Sequence, residues 1–208
     1  MNEPAPSLKA TYTWSDYQTW PREERWEIIG GQAFAMSPSP TTRHQKIVTR
    51  LASNMEPLLR GGSCEVMVAP MDVRLSNEDV VQPDLLVVCD AQQIKTTHIE
   101  GPPRLVVEVL SSSTERMDRL LKRELYARCG VEEYWIVTPF PHLVEVYVLQ
   151  QGHYVWWKTF DHRDRVTSSI MPDISFDLAQ IFDFPLEEGE KNIFIVKEPP
   201  AKYSAAAK

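Results

Sequence analysis

The chain has 208 residues, 43% of them hydrophobic and 25% charged, with a formal net charge of −7. That length suits one domain with a real core, and no apolar run approaches the roughly 20 residues of a membrane-spanning helix, which argues against a membrane role. The negative balance disfavours loose, sequence-independent binding to nucleic acid. The opening residues, with Glu3, Pro4 and Pro6, do not read as a secretory signal, so the cytoplasm is the expected compartment.

Residues 1–10 are Pro-rich and predicted disordered, followed by one domain over 11–186 and a flexible tail over 187–208. Ser15 is placed to cap a short helix over Asp16–Glu24. Arg25–Ile29 and Gln32–Met36 are strand-length segments around Gly30-Gly31, the separation of a two-residue hairpin loop. Thr41 or Thr42 caps a helix whose apolar positions Ile47, Val48, Leu51, Met55, Leu58 and Leu59 follow helical spacing, with Gly61-Gly62 as its stop. Strands are predicted at Cys64–Ala69, Met71–Leu75, Asp84–Cys89 and Leu105–Leu110. A helix from Ser111–Thr114 to about Cys129 follows, ending at Gly130, and strands then fall at Tyr134–Val137, Val144–Leu149 and Tyr154–Phe160. This order implies a mixed α/β sheet with an antiparallel extension. Cys64, Cys89 and Cys129 are odd in number and widely spaced, and are expected to be reduced core thiols. His142, His153 and His162 are spaced too irregularly for metal ligation. Trp156 and Trp157, with Tyr154, read as core or dimer contacts ahead of base-stacking residues.

Glu108 is the informative residue. It is a lone carboxylate in the run Leu105-Val106-Val107-Glu108-Val109-Leu110, and burying its charge requires a cation, a metal or an array of donors. Asp84 opens the preceding apolar run, where an adjacent strand would bring the two carboxylates together as a metal site. Alternation puts Glu108 on one face with Val106 and Leu110. A lysine at position 110 would complete a Glu-x-Lys pair, but that residue is leucine. The following helix offers Lys122, four residues from both Asp118 and Tyr126. If Met117, Leu121 and Leu125 pack on the sheet, Lys122 stands at the edge of the buried face; the competing reading is an ordinary Asp118–Lys122 surface pair. Arg116, Arg119, Lys122, Arg123 and Arg128 form either a local basic face or a solvated surface interleaved with acids.

Pro83-Asp84, Glu108-Val109-Leu110-Ser111, Asp118-x-x-x-Lys122-x-x-x-Tyr126 and Gly130-Val131-x-Glu133-Tyr134-Trp135-Ile136-Val137 resemble the Uma-two family. Trp26-Glu27-Ile28-Ile29-x-Gly31 and Ser37-Pro38 followed by His44 extend the resemblance over roughly residues 14–180. It implies an α/β restriction endonuclease-like core of the PD-(D/E)XK type, a central mixed β-sheet flanked by helices with an N-terminal hairpin and antiparallel C-terminal strands. It also implies Asp84 and Glu108 as ligands of Mg²⁺, with Mn²⁺ as substitute, and Lys122 as the catalytic lysine displaced from strand to helix. Glu27 is carried over as an accessory acid and His44 as a position on the first long helix. The implied activity is hydrolysis of DNA by a metal-dependent endonuclease, expected to act as a homodimer. The alternative is a catalytically silent nuclease-fold protein that binds nucleic acid or a protein partner.

Overall fold

The computed structural model describes residues 10–21, 23–36 and 39–185; the N-terminal residues 1–9 and the tail over 187–208 predicted above lie outside them. A four-residue helix α1 (Trp14–Tyr17) replaces the longer helix expected over Asp16–Glu24. Thr13, not Ser15, caps it, with the Asp16 carboxylate accepting from the Thr13 amide at 3.0 Å and from its hydroxyl at 2.9 Å. The hairpin forms as predicted, β1 (Trp26–Ile29) against β2 (Gln32–Ala35) in antiparallel register. Both turn glycines take positive φ, 57° at Gly30 and 75° at Gly31, the conformation a two-residue hairpin turn demands. Helix α2 (Thr42–Leu59) is capped by the Thr41 hydroxyl, which accepts from the His44 amide.

Ten further strands and one further α-helix complete the element list up to residue 167: β3 (Glu65–Val68), β4 (Val73–Ser76), β5 (Asp79–Val81), β6 (Leu85–Val88), β7 (Ile99–Glu100), β8 (Leu105–Val109), α3 (Arg123–Cys129), β9 (Glu133–Thr138), β10 (Leu143–Gln150), β11 (His153–Asp161) and β12 (Arg165–Thr167). The last strand is β13 (Ser175–Asp177). They form a five-stranded sheet in the order β2-β1-β5-β4-β7, a six-stranded sheet in the order β11-β10-β9-β8-β6-β3, and the β12–β13 pair. Strands β8 and β9 are parallel and joined by the helical crossover, while β3, β6 and β8 pair antiparallel. The short strands β5 and β7 escaped prediction because they carry only three and two residues. No helix among the described residues is long and apolar enough to cross a membrane.

The six-stranded sheet is apolar on both faces. Its Leu105, Val107 and Val109 pack with Ile47, Leu51 and Met55 of α2 and with Phe176 and Ile181 of the C-terminal segment. On the opposite face Val106 and Leu110 pack with Leu125 and Tyr126 of α3 and with Ile29, Val73 and Val81 of the smaller sheet. Each fully buried aliphatic side chain stabilises this arrangement by about 1.5–3 kcal/mol. Cys64 and Cys89 are joined by a disulfide, which corrects the expectation of three reduced thiols; only Cys129 is free. They flank the paired Glu65 and Val88, so strand register sets them face to face, and a separation of 25 residues in sequence gave no sign of it.

Glu133 fastens the C-terminal segment to the sheet. Its fully buried carboxylate accepts from the Trp135 indole at 2.5 Å and from the Ser169 and Ile170 amides at 2.8 and 3.1 Å. Burial raises its pKa, and these donors oppose the rise. Replacing Glu133 with Ala leaves the buried Trp135 indole and the Ser169 amide without an acceptor, and the Ile170 amide with only the Ser168 hydroxyl. Urea denaturation should show a loss of about 2–4 kcal/mol, whereas a loss below about 0.5 kcal/mol would deny this role.

Candidate functional site

The register of β6 against β8, with Leu85 opposite Val107 and Leu86 opposite Val106, continues to set Asp84 opposite Glu108. Three backbone amides bind the acids into place. The Val109 amide donates to Asp84 Oδ2 at 2.8 Å, the Asp84 amide to Glu108 Oε2 at 3.4 Å, and the Gln82 amide to Glu27 Oε1 at 3.0 Å. Glu27, on β1 of the smaller sheet, is buried.

Lys122 enters this cluster from the crossover helix. Its Nζ lies 2.9 Å from Glu27 Oε1, 3.0 Å from Glu108 Oε1 and 3.6 Å from Asp118 Oδ1, with the lysine and all three acids buried. The surface-pair reading of Asp118 and Lys122 is therefore overturned. Residues Met117–Lys122 form a π-helical turn, not a continuous α-helix. The wider turn buries Asp118 and Lys122 and leaves Leu120 and Leu121 54% and 44% exposed, the reverse of the apolar packing expected for Leu121. Tyr126 donates to Glu108 Oε1 at 2.7 Å, and Tyr134 donates to the Asp118 carbonyl at 3.1 Å. The expected basic face is mostly spent internally: Arg119 pairs with Glu115 and Glu145, Arg128 with Asp79, and Lys122 is buried.

His44 projects from the first turn of α2, with Nε2 3.1 Å from Asp84 Oδ2. The structure thus brings Glu27, His44, Asp84, Glu108 and Lys122 together. Asp118 and Tyr126 join them; their four-residue spacing from Lys122 was the available signal, whereas nothing in the sequence marked the Gln82 and Val109 amides. His153 and His162 lie outside this cluster, and Trp156 and Trp157 of β11 are exposed rather than core.

Burial dominates the electrostatics. It pushes Glu108 well above the carboxylate range; the Lys122 charge opposes this, and the Asp118, Asp84 and Glu27 charges reinforce it. Asp118 is raised in the same way, first by burial, against Lys122 and Thr114. Burial disfavours the Lys122 ammonium, but Glu108, Glu27 and Asp118 outweigh it, so Lys122 is raised well above its ordinary value and stays charged. For His44, burial opposes the imidazolium and is outweighed by the hydrogen bond and charge of Asp84 and by the Val109 carbonyl, so its pKa is raised.

Four carboxyl groups thus converge on one ammonium and one imidazole, and their mutual repulsion, which helps raise Glu108 and Asp118, is what a bound cation would relieve. Asp84 is the accessible member, its side chain 20% exposed against 3% for Glu108. A groove of about 200 Å³ lies against it, lined by His44, Gln45, Val48, Thr49, Val68 and Ala69. Asp84 Oδ1 has no hydrogen-bond partner among the described residues, and Glu108 Oε2 has only the long one from the Asp84 amide. Among the described residues no group of three or more His, Cys, Asp or Glu is placed to hold a metal ion, so a metal here would rest on two carboxylates. Two carboxylates with free lone pairs fit Mg²⁺, which keeps several waters and takes one or two protein carboxylates.

The family model described as "Putative restriction endonuclease" matches residues 14–179. A protein of Synechocystis sp. (strain ATCC 27184 / PCC 6803 / Kazusa), "Uncharacterized protein slr1290", is 33% identical over 136 residues, 64% of this chain and 71% of the relative. The crystal structure of "a putative nuclease belonging to DUF820" from Anabaena variabilis ATCC 29413 superposes with a TM-score of 0.67 at 17% identity, covering 82% of this chain and 97% of that one. That likeness shows the fold, a mixed α/β core of nuclease type.

Lys122→Met removes the only ammonium from this cluster. The lysine's contribution is complete below its ordinary pKa of ~10.4 and is lost only as pH rises through the higher folded value. Of the acids it leaves, Glu108 and Asp118 have raised pKa values, so the variant should be more stable when they are protonated. Urea midpoints should show a deficit of about 3–5 kcal/mol near neutrality, smaller at pH 5 than at pH 8. Equal deficits at the two pH values would contradict the arrangement.

Proposed function

Because the chain belongs to the Uma2 family, described as "Putative restriction endonuclease", we propose that it is a metal-dependent endonuclease that hydrolyses DNA phosphodiesters at Asp84 and Glu108. One observation carries the reading. Lys122, although displaced to a helix, sets its ammonium 3.0 Å from Glu108, so the position left apolar by Leu110 is supplied from another element.

Asp84 and Glu108 would hold Mg²⁺, or Mn²⁺ in its place. The ion, when bound, would activate water and offset charge on the phosphate. Lys122 holds its proton and directs the ammonium at the Glu108 carboxylate, where it can stabilise or position an attacking water. Glu27 and Asp118 fix the direction of that ammonium. His44 holds Asp84 from the groove side, as outer partners commonly orient a metal-binding carboxylate. Tyr126 donates to the same Glu108 oxygen as Lys122, leaving Oε2 turned toward Asp84. Cutting both strands of a duplex would take two copies of the chain, the homodimer expected from the family resemblance.

The silent alternative draws on the burial of Glu108 and on the Lys122 ammonium already lying 2.9 Å from Glu27 and 3.0 Å from Glu108. Cleavage of supercoiled and single-stranded DNA in Mg²⁺ or Mn²⁺ decides between them. Glu108→Gln and Asp84→Asn should abolish cleavage and metal binding by calorimetry. Lys122→Met should retain metal binding and lose about 10²–10³-fold in rate. Cleavage that persists in Glu108→Gln would sink the assignment, and a wild-type chain that binds DNA without cutting it would establish the silent reading.

A further inference from the structure

A second and larger cleft, of about 490 Å³, is lined in part by Pro70, next in sequence to the Ala69 that lines the Asp84 groove. Aromatic rings dominate it: Trp14, Tyr17, Trp20 and Trp26, each partly exposed. Trp14 and Tyr17 stack at 5.7 Å, Tyr17 meets Trp20 at 5.6 Å, and Trp20 meets Trp26 nearly edge-on at 5.7 Å. This row runs from α1 to β1, the strand that also supplies Glu27.

A rigid polar network forms one wall. Gln82 accepts from Arg25 Nε at 2.9 Å and Nη2 at 2.7 Å, and donates to Asp72 Oδ1 at 2.8 Å and to the Tyr17 hydroxyl at 3.1 Å. Tyr17 in turn donates to Asp72 Oδ1 at 2.7 Å. The amide of Gln82 is thereby fully engaged and its orientation fixed. Among the described residues Asp72 Oδ2 and Arg25 Nη1 have no partner, which leaves one acceptor and one donor beside the rings. Packing of the N-terminal segment explains the row of rings but neither the open cleft nor these free groups.

The chemistry selects the occupant. Asp72 and Glu24 at the cleft repel a phosphate, Arg25 disfavours a cation, and the aromatic faces with a donor and an acceptor suit a neutral planar heterocycle. Gln82 is joined to Asp84 through Pro83 alone, so this wall and the Asp84 carboxylate sit on one short stretch of chain. We propose that the cleft binds an unpaired nucleobase of the nucleic acid strand engaged at Asp84, stacked on the Trp20–Trp26 pair and read by Asp72 and Arg25. The inference rests on the nuclease reading for its substrate class. It adds that this substrate presents a single-stranded or flipped base, because a base inside a duplex cannot reach the rings.

The test uses the full chain in EDTA, where no cleavage occurs, with a 12-nucleotide single strand carrying one 2-aminopurine and the fully paired duplex of the same sequence. The wild-type chain should bind the single strand in preference to the duplex and quench the probe's fluorescence. Trp20→Ala and Trp26→Ala should weaken binding about tenfold or more and remove the quench. Asp72→Asn keeps an oxygen for Tyr17 and Gln82 but turns the free acceptor into a donor. It should bind the probe several-fold more weakly, and decides the matter if the tryptophan variants fail to fold by circular dichroism. Tryptophan and Asp72 variants within twofold of wild type, or wild-type binding without a quench, would overturn the proposal, as would displacement of the probe by tetramethylammonium. Cleavage with no stacking signal would leave the nuclease reading standing without the cleft, and stacking without cleavage in Mg²⁺ would leave the cleft standing without the nuclease.

Discussion

The buried ammonium of Lys122 is the interaction on which the arrangement of the molecule turns. Removing a lysine from water costs several kcal/mol unless carboxylates replace its hydration, and here the replacements come from three separate elements: Glu27 on β1, Glu108 on β8 and Asp118 on the π-turn. Each belongs to a different layer. The ion cluster therefore draws the smaller sheet, the larger sheet and the crossover helix to one point, while apolar packing on either side supplies most of the energy. Hydrophobic contact alone would tolerate sliding between these layers; the directional contacts of one ammonium do not.

The second constraint is the passage of the chain from one sheet to the other. Strand β5 belongs to the five-stranded sheet and β6 to the six-stranded one, and the three residues Gln82, Pro83 and Asp84 make the transfer. Backbone amides at such a switch lose their ladder partners and must find others. Glu27 takes the Gln82 amide, Glu108 takes the Asp84 amide, and proline has none to satisfy. The acids of the site thus terminate two sheets as well as converging on one lysine. This dual duty explains why Asp84 stands at the open end of its strand, facing a groove, whereas Glu108 stands enclosed.

Much of this was legible in the residues. Period-two alternation assigned Val106, Glu108 and Leu110 to one face of β8, and the structure distributes them so. The Gly30-Gly31 turn and the Thr41 cap were readable because turn and cap chemistry is local. What was hidden is of two kinds. Lys122 looked more like a surface partner of Asp118 than a buried residue, because four-residue spacing has the same form on either side of a helix. Cys64 and Cys89 gave no pairing signal, because only the register of β3 against β6 makes them neighbours. The antiparallel β12–β13 pair was missed for a related reason: its strands have three residues each, and the loop joining them is held by Glu133, remote in sequence.

The π-turn shows which force prevails where patterning and chemistry disagree. An ordinary helix over 115–129 would be free to bury Leu121 with Leu125 and leave Lys122 at its margin, which apolar burial favours by about 1.5–3 kcal/mol for the leucine. The chain instead exposes Leu120 and Leu121 and turns Asp118 and Lys122 inward. That choice forgoes apolar burial and adds desolvation of charge, so local stability does not account for it. Departures of this kind from helical regularity cluster at functional sites. An acid and an ammonium brought inward beside Glu108, with Asp84 left open to the groove, are what the proposed metal-assisted chemistry would ask of a scaffold whose own strand lacks the lysine.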